Sequence, residues 1–302
     1  MKSKKREMLI LLVILILLLL AVPVVFEGFS DFLNKITGWL GYDYASVSIT
    51  VGNQIPTVEY VSSISLQEVS AGNVSYISFT FNATDADGAG NLDDATAVSS
   101  FSLTGEIIRT NTSCDFLAEA GNTREYNCTI GIWYWDGAGD WTINATIEDT
   151  NDAHAENSST TFTLLETTAM VMSPTALEWP SVNLTSTDVL SNTDPITVNN
   201  TANKNITDGN VNVTAIGLTG ADITSEFIYA ENFSVNTANA CGGTDMVNNT
   251  ATGISGATID KGNNSAGDGQ EELYFCLKGM LQTISAQTYS ATGGDSWTIA
   301  VE

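Results

Sequence analysis

The segment SYISFTFNA, residues 75–83, alternates apolar and polar side chains along its length. In an extended chain Ile77, Phe79 and Phe81 fall on one face and the hydroxyl side chains fall on the other. A period of two is typical of a β-strand with one buried face. WTINATIED, residues 141–149, repeats the pattern, and similar segments recur at roughly the 8–12-residue spacing of antiparallel sandwiches.

These segments predict a first domain over residues 57–166. A second group begins near residue 167, and we predict a second β-sandwich over residues 167–302. Its predicted strands are MVMSP, ALEWPSVNL, DPITVNN, NVNVTAIGL, NFSVN, ELYFCLKG and DSWTIAVE. Pro174 and Pro180 suit strand starts or edge strands, because proline cannot donate a hydrogen bond to a central ladder.

The N-terminal region has a different character. Four basic residues within the first six positions precede an almost uninterrupted Leu/Ile/Val run at 8–26. About 19 helical residues span roughly 28 Å, which matches the hydrocarbon core of a bilayer. The positive-inside rule then predicts a single-pass anchor, with residues 1–7 in the cytoplasm and the bulk of the chain outside the cell. A cleaved secretory signal is the alternative, because Gly28 and Ser30 are small residues of the kind found at cleavage sites.

Residues 27–56 are predicted to form a juxtamembrane amphipathic helix and a linker. The apolar residues at helical spacing are Phe29, Phe32, Leu33, Ile36, Trp39 and Leu40. They are compatible with a helix lying at the membrane interface or with a simple extension of the anchor helix. A pilin-like assembly helix is a third interpretation, although the glycine expected at an archaeal pilin-type processing site is absent and Glu7 follows Arg6.

The turn and strand YWDGAGDWTINA, residues 134–145, resemble the corner motif before strand F of immunoglobulin-like and PKD-like domains, with Trp141 where those families usually carry Tyr. Residues 74–88 and 141–164 resemble the B–C and F–G regions of such domains. The second half resembles the repeated β domains of archaeal surface glycoproteins. These resemblances imply two antiparallel Ig-like β-sandwich domains in tandem. Together with the apolar run at 8–26, the predicted fold class is all-β, with the two sandwiches behind one N-terminal transmembrane helix. Fold resemblance carries little information about activity.

The chain is strongly acidic, with 35 acidic and 10 basic residues and a net charge of -25. Five of the basic residues lie within the first 35 positions. The folded part would therefore repel phosphate groups, which argues against nucleic acid or anionic lipid as its partner. The same charge favours solubility and cation binding.

Four cysteines, two in each predicted domain, suggest disulfides outside the cytoplasm. Of the three possible connectivities, the domain partition favours Cys114–Cys128 and Cys241–Cys276. Free buried thiols are the alternative. No CxxC spacing occurs, which argues against zinc or thioredoxin-like chemistry.

Asn-x-Ser/Thr sequons are more frequent than the composition alone would produce. There are thirteen, at Asn73, Asn82, Asn111, Asn127, Asn144, Asn157, Asn183, Asn199, Asn205, Asn212, Asn232, Asn248 and Asn263. Apolar residues flank Asn82, Asn144 and Asn212 on both sides, so strand alternation directs these three to solvent. The sequence predicts an N-glycosylated surface. Unmodified Asn on polar sheet faces is the alternative.

The acidic segment DADGAGNLDD, residues 85–94, offers several oxygen ligands on a flexible loop, as calcium prefers. It departs from an EF-hand at Ala89 and Thr96. In a sandwich of this topology the B–C and F–G loops share one end, which brings together a candidate calcium set: Asp85, Asp87, Asp149, Asn151 and Asp152. Solvated turns are the alternative, and no other cofactor is predicted.

The sequence does not predict an enzyme. Its single histidine, His154, lies in a polar loop with Asp152 and Ser158, and contiguous loop residues do not have the geometry of a triad. No GxSxG, HExxH, P-loop or GxGxxG segment occurs. Alternation places Trp133 and Trp135 on one face, where they either pack against a core or form a sugar-stacking platform.

The function predicted from the sequence is a membrane-anchored, N-glycosylated extracellular structural or adhesion protein of the cell envelope. Its expected partners are the membrane, through the N-terminal helix, and envelope proteins or glycans, but not nucleic acid. Two alternatives stay open: a pilin-like filament subunit, and a surface module that binds carbohydrate or a cation.

Overall fold

The computed structural model describes residues 45–280, 283–291 and 296–302, together with Glu7, Met8, Ile10, Leu11, Val13, Ile14 and Lys35. Most of the predicted transmembrane segment 8–26, and residues 27–44 apart from Lys35, lie outside the described residues. Within the described part of the chain, no helix is both long enough and apolar enough to cross a bilayer. The chain divides into two compact units, Met1–Gly52 and Asn53–Glu302.

The second unit is built of β-strands, with three short 3₁₀ helices among its described residues. The all-β prediction is therefore confirmed. Two lobes follow one another along the chain. The N-terminal lobe contains β1 (Thr57–Val61), β2 (Val74–Thr84), β3 (Leu92–Ser102), β4 (Arg109–Asn111), β5 (Asp115–Ala120), β6 (Thr123–Trp133), β7 (Gly139–Asp149) and β8 (His154–Leu164).

The strands of the N-terminal lobe form two antiparallel sheets, in the orders β1-β2-β6-β5 and β4-β3-β7-β8. Their inward residues share one hydrophobic core. Phe79 of one sheet lies 5.5 Å from Phe101 of the other, measured between ring centroids. Trp141 is fully buried, and its indole Nε1 donates to the carbonyl oxygen of Gly137 at 3.0 Å. The two sheets therefore pack face to face, and the alternation read from the sequence marks the inward residues.

The C-terminal lobe has shorter strands. They are β9 (Met170–Ser173), β10 (Thr187–Leu190), β11 (Ile196–Asn200), β12 (Val211–Ala215), β13 (Leu218–Gly220), β14 (Phe227–Ile228), β15 (Phe233–Asn236), β16 (Thr244–Asp245), β17 (Thr250–Gly253), β18 (Gln270–Gly279), β19 (Tyr289–Ser290) and β20 (Thr298–Val301). The strand orders are β16-β15-β18-β11-β9, with β10 also pairing with β18, then β17-β12-β20 and β14-β13-β19. These sheets surround a second core.

One predicted strand of this lobe is wrong. Residues 176–184, ALEWPSVNL, contain no strand. Pro180 has no backbone N–H to donate, and the Trp179 indole instead donates to the carbonyl of Val189 at 3.1 Å. The segment is thus attached to the lobe by isolated hydrogen bonds, which include one from the backbone N–H of Asn192 to the carbonyl of Glu178 at 2.7 Å, rather than by a ladder.

The described cores differ in how completely they are covered. Three partly buried hydrophobic residues pack against the core of the N-terminal lobe, whereas eleven pack against that of the C-terminal lobe. The short strands of the C-terminal lobe leave part of its apolar interior accessible.

Both expected disulfides are present. Cys114 pairs with Cys128 and Cys241 pairs with Cys276, with Cα–Cα separations of 4.5 Å and 5.2 Å. These separations lie in the range found for disulfide bridges. Each bridge lies within one lobe, as the domain partition predicted.

Loop closure predicts the relative effects of the two bridges. They join residues 14 and 35 positions apart, which corresponds to about 3 and about 4 kcal/mol of stabilisation through the unfolded chain. We expect the Cys241→Ala/Cys276→Ala variant to lose more unfolding free energy in urea than the Cys114→Ala/Cys128→Ala variant. The opposite order would show that native packing, rather than chain entropy, dominates.

Candidate functional site

The linker between the lobes is held by hydrogen bonds. Asn203 is 4% exposed, and its Oδ1 accepts from the backbone N–H of Thr167 at 2.8 Å. Its Nδ2 donates to the carbonyl of Leu165 at 2.9 Å. The backbone N–H of Lys204 donates to the carbonyl of Thr167 at 3.2 Å. One buried amide of the C-terminal lobe thus fixes both sides of the linker.

An ion pair joins the lobes beside the linker. Lys261 of the C-terminal lobe places Nζ 2.6 Å from Oε1 of Glu106, with side-chain exposures of 25% and 19%. The same ammonium donates to the carbonyl of Trp135 at 3.2 Å. A Cβ added at Gly137 would lie 2.4 Å from Glu106 Oε1. A side chain at that position would force the Glu106 carboxylate to move and would disturb the ion pair.

Two further hydrogen bonds connect the lobes. The backbone N–H of Gly72 donates to the carbonyl of Thr201 at 2.8 Å. The backbone N–H of Asn264 donates to the Tyr134 hydroxyl at 3.1 Å, and Tyr134 is otherwise buried in the first core. With the linker and the ion pair, four separate points join the lobes.

The tryptophan pair lies next to this junction. Trp133 and Trp135 stack with ring centroids 4.8 Å apart, and the guanidinium of Arg109 lies 5.9 Å from the Trp133 centroid. Asp136, which is 1% exposed, accepts from Arg109 Nε at 2.9 Å and from the Trp133 N–H at 2.7 Å. A cavity of about 860 Å³ borders these aromatic residues between the lobes.

The two tryptophans share a face, as strand alternation predicted. Trp135 packs against the first core, while Trp133 is 38% exposed. Because Trp135 stacks on one side of Trp133 and Arg109 lies over its ring, these contacts favour structural packing over an open sugar platform.

The loop end of the N-terminal lobe gathers most of the residues predicted to bind calcium. The backbone N–H of Thr150 donates to the carbonyl of Asn91 at 2.8 Å, which joins the β2–β3 and β7–β8 loops. Asp85 and Asp149 are buried there, at 0% and 1% exposure. Asn53 contacts both loops, because its Nδ2 donates to Asp149 Oδ2 at 2.7 Å and its Oδ1 accepts from Asn91 Nδ2 at 3.2 Å.

The carboxylates of this cluster accept hydrogen bonds from the protein itself. Asp85 accepts from the N–H of Asp87 at 2.8 Å and from Asn91 Nδ2 at 3.1 Å. Asp149 Oδ1 accepts from the N–H groups of Asn151 and Ala153, at 2.8 and 2.9 Å. Amide donors therefore point at the buried carboxylates, and these hydrogen bonds brace the two loops against each other.

Two other candidates, Asp87 and Asp152, lie at the exposed rim of the cluster. Asp87 accepts from the N–H of Gln54 at 2.7 Å, and Asp152 is exposed with a positive φ of 63°. Among the described residues, the one group of three acidic, Cys or His side chains with ligand atoms within 4.8 Å of one another is Asp188, Cys241 and Cys276. Both of those cysteines are in a disulfide. The predicted calcium site stays a prediction without support from this geometry.

The sequon asparagines occupy three environments. Four are exposed and eight are half-buried, including Asn82, Asn144 and Asn212 on the strand faces opposite the core. Asn232 is different, because it is 0% exposed and its Nδ2 donates to the carbonyl of Gly279 at 2.8 Å. A glycan at Asn232 is incompatible with this packing. The prediction of a glycan at this one sequon is therefore corrected.

The single histidine lies on the surface of the N-terminal lobe. His154 is half-exposed, and its Nδ1 lies 3.7 Å from Oε1 of Glu148 on the neighbouring strand. This cross-strand pair accounts for its position.

The hydrogen bonds to Asp149 predict a pH dependence. The side chain of Asn53, together with the N–H groups of Ala153 and Asn151, holds the pKa of Asp149 below its ordinary value of 3.8. A folded-state pKa below the unfolded value contributes stability that is present above pH 3.8 and is lost as the pH falls through the folded-state pKa. We expect Asp149→Asn to lower the unfolding midpoint at pH 7, with a difference from the native protein that shrinks below pH 4. Asp152→Asn, in the same loop, is the matched control. The unfolding midpoints of both variants are measured by thermal unfolding at pH 3 to 8. Equal midpoints for the native protein and Asp149→Asn at pH 7 would contradict the stabilising role of Asp149.

Comparison with known proteins does not assign the chain to a family. No protein-family model matches the chain, and no curated protein is significantly similar to it.

Proposed function

We propose that this chain is an extracellular structural or adhesion protein of the cell envelope, anchored through its N-terminus and presenting two β-lobes as one rigid spacer. The observation that carries the proposal is the junction between the lobes. A linker fixed by Asn203, a half-buried ion pair at Lys261 and two further hydrogen bonds suit a role in which distance and direction matter. Interfaces between domains are ordinarily small and permit relative motion.

We also infer that the N-terminal lobe is immunoglobulin-like. Its orders β1-β2-β6-β5 and β4-β3-β7-β8 correspond to strands A-B-E-D and C-F-G of the constant-type Ig fold, with β4 added beside strand C. The same correspondence supports the resemblance seen around Trp141. Such domains are common in proteins that present surfaces outside cells, which supports the proposal at the level of fold only.

Location outside the cytoplasm rests on three features. The basic and apolar N-terminal pattern is typical of an export signal or anchor. Two disulfides persist where the surroundings are oxidising. Twelve of the thirteen sequons lie at residues with some exposure. No one of these features is specific to the cell surface, but their combination in one chain favours it.

Rigidity is testable by spin labels in the detergent-solubilised full chain. The labels are attached at Ser158→Cys and Ser255→Cys, which are both exposed and lie one in each lobe. Pulsed electron paramagnetic resonance should give a single narrow distribution of the distance between them. Combining Asn203→Ala with Lys261→Met should broaden it, because both connections are removed. Asn192→Ala, an exposed asparagine outside the junction, should leave it unchanged. A broad distribution in the native protein would overturn the spacer proposal.

Glycosylation is testable by intact mass and peptide mapping of protein from the native source. We expect a mass above that of the bare polypeptide and no glycan at Asn232. Asn73→Gln should remove one glycan because Asn73 is exposed, whereas Asn232→Gln should leave the glycan mass unchanged. A native mass equal to that of the polypeptide would exclude glycosylation.

A further inference from the structure

Among the described residues of the C-terminal lobe, the apolar interior is open on one side. A cavity of about 870 Å³ reaches the buried core residues Phe233 and Phe275. Its sides include Met172, Trp179 and Ile299, all only partly buried. The N-terminal lobe has far fewer such residues, so the opening belongs to this lobe rather than to the architecture in general.

Strand edges border the cavity. β9, β19 and β20 each end the order of their sheet, and Met172, Tyr289 and Ile299 of these strands line the cavity. A strand at the end of a sheet presents N–H and C=O groups that can pair with an added strand. Residues 175–182 also line the cavity, and they contain no strand. The opening therefore combines an apolar floor with edges able to receive backbone hydrogen bonds.

A segment elsewhere in the chain has the complementary pattern. Residues 45–51, ASVSITV, alternate apolar and polar side chains, contain no charge and belong to no described strand. Val47, Ile49 and Val51 are 82%, 84% and 78% exposed. A strand pattern with its whole apolar face in solvent is unusual for a stable isolated protein. In a chain of net charge -25, a neutral segment is also suited to approach a second copy without repulsion.

The segment is too short to reach the opening of its own chain. It precedes Asn53, whose side chain bonds to Asp149 at the loop end of the N-terminal lobe. The connections to the C-terminal lobe lie at the opposite ends of strands of 11 residues, which correspond to about 36 Å. Residues 45–52 span at most about 27 Å when fully extended. The segment can therefore fill such an opening only in another molecule.

We propose that residues 45–51 of one copy insert as a β-strand into the opening of the C-terminal lobe of a second copy. The side chains of Val47, Ile49 and Val51 enter the cavity, and the backbone pairs with a bordering edge strand. Strand addition of this kind uses main-chain hydrogen bonds for affinity and alternate side chains for specificity. The two contact surfaces differ, so the contact is heterologous and repeats head to tail, in a closed ring or in an open chain.

This inference extends the proposed function, since it turns a single spacer into the repeating unit of an envelope array. It also gives the filament alternative a specific contact that does not depend on the N-terminal helix. The donor segment and the acceptor opening lie in different parts of each chain, which a linear array requires.

The first test compares three detergent-solubilised full-length proteins: native, Ile49→Asp and Thr50→Asp. All three keep the same apolar N-terminal run, so association through that run is equal. We expect size-exclusion chromatography with light scattering to show at least tenfold less oligomer for Ile49→Asp, because a charge enters the cavity. Thr50→Asp adds the same charge on the outward face and should assemble like the native protein. Equal assembly of native protein and Ile49→Asp, or equal loss in both variants, overturns the proposal.

The second test supplies the strand as a peptide. A peptide of residues 45–52 should raise the melting temperature of full-length Ile49→Asp protein and change its Trp fluorescence, since Trp179 and Trp297 line the opening. The same peptide carrying Asp in place of Ile49 should do neither. No melting shift with the native peptide overturns the proposal. Neither test depends on rigidity or cellular location, so a failed insertion leaves the spacer function standing, and a broad inter-lobe distance leaves the insertion standing.

Discussion

The hydrogen bonds of Asn203 to the linker are the constraint on which the junction between the two lobes depends. Since Thr167 and Leu165 are both held by one buried amide, the C-terminal lobe leaves the N-terminal lobe in a single direction. That direction brings Lys261 to Glu106 and the Asn264 N–H to the Tyr134 hydroxyl. Without the fixed linker, each of these contacts would by itself have to hold the two lobes in their relative orientation.

Scarce positive charge is concentrated near this junction. Only five of the ten basic residues lie beyond position 35, and two of them, Arg109 and Lys261, pair with Asp136 and Glu106 at or beside the contact between lobes. In a strongly acidic chain the lobes would otherwise repel one another. The ion pair matters here because it lies where the like charges of the two lobes would meet.

The two lobes differ in how completely their strands cover the hydrophobic core. Five of the eight strands of the N-terminal lobe have 11 residues, and the two sheets that they build cover its core. The C-terminal lobe uses mostly short strands and a strand-free wall at residues 176–184, and its interior stays open between sheet edges. A closed lobe for presentation and an open lobe for contact are compatible with one structural role.

Much of the fold was readable from the sequence, but the candidate sites were readable only in part. Alternation around Phe79 and Trp141 identified the buried faces, and the partition of cysteines identified both disulfides. The segment around Trp179 was misread, because alternation over a few residues does not reveal whether a neighbouring strand is available. Asn232 was misread because a sequon contains no information about burial.

The sequence by itself determined the all-β class, the inward residues of the long strands and the acidic character, because these depend on local periodicity and composition. Only the tertiary structure decided which loop groups meet and where a core is left open. Asp85 and Asp149 lie far apart along the chain, and the sequence placed them at one loop end only through an assumed topology. Their carboxylates receive amide donors, and Ile299 lines an apolar cavity of the C-terminal lobe. Both features follow from contacts between distant segments, which no local pattern encodes.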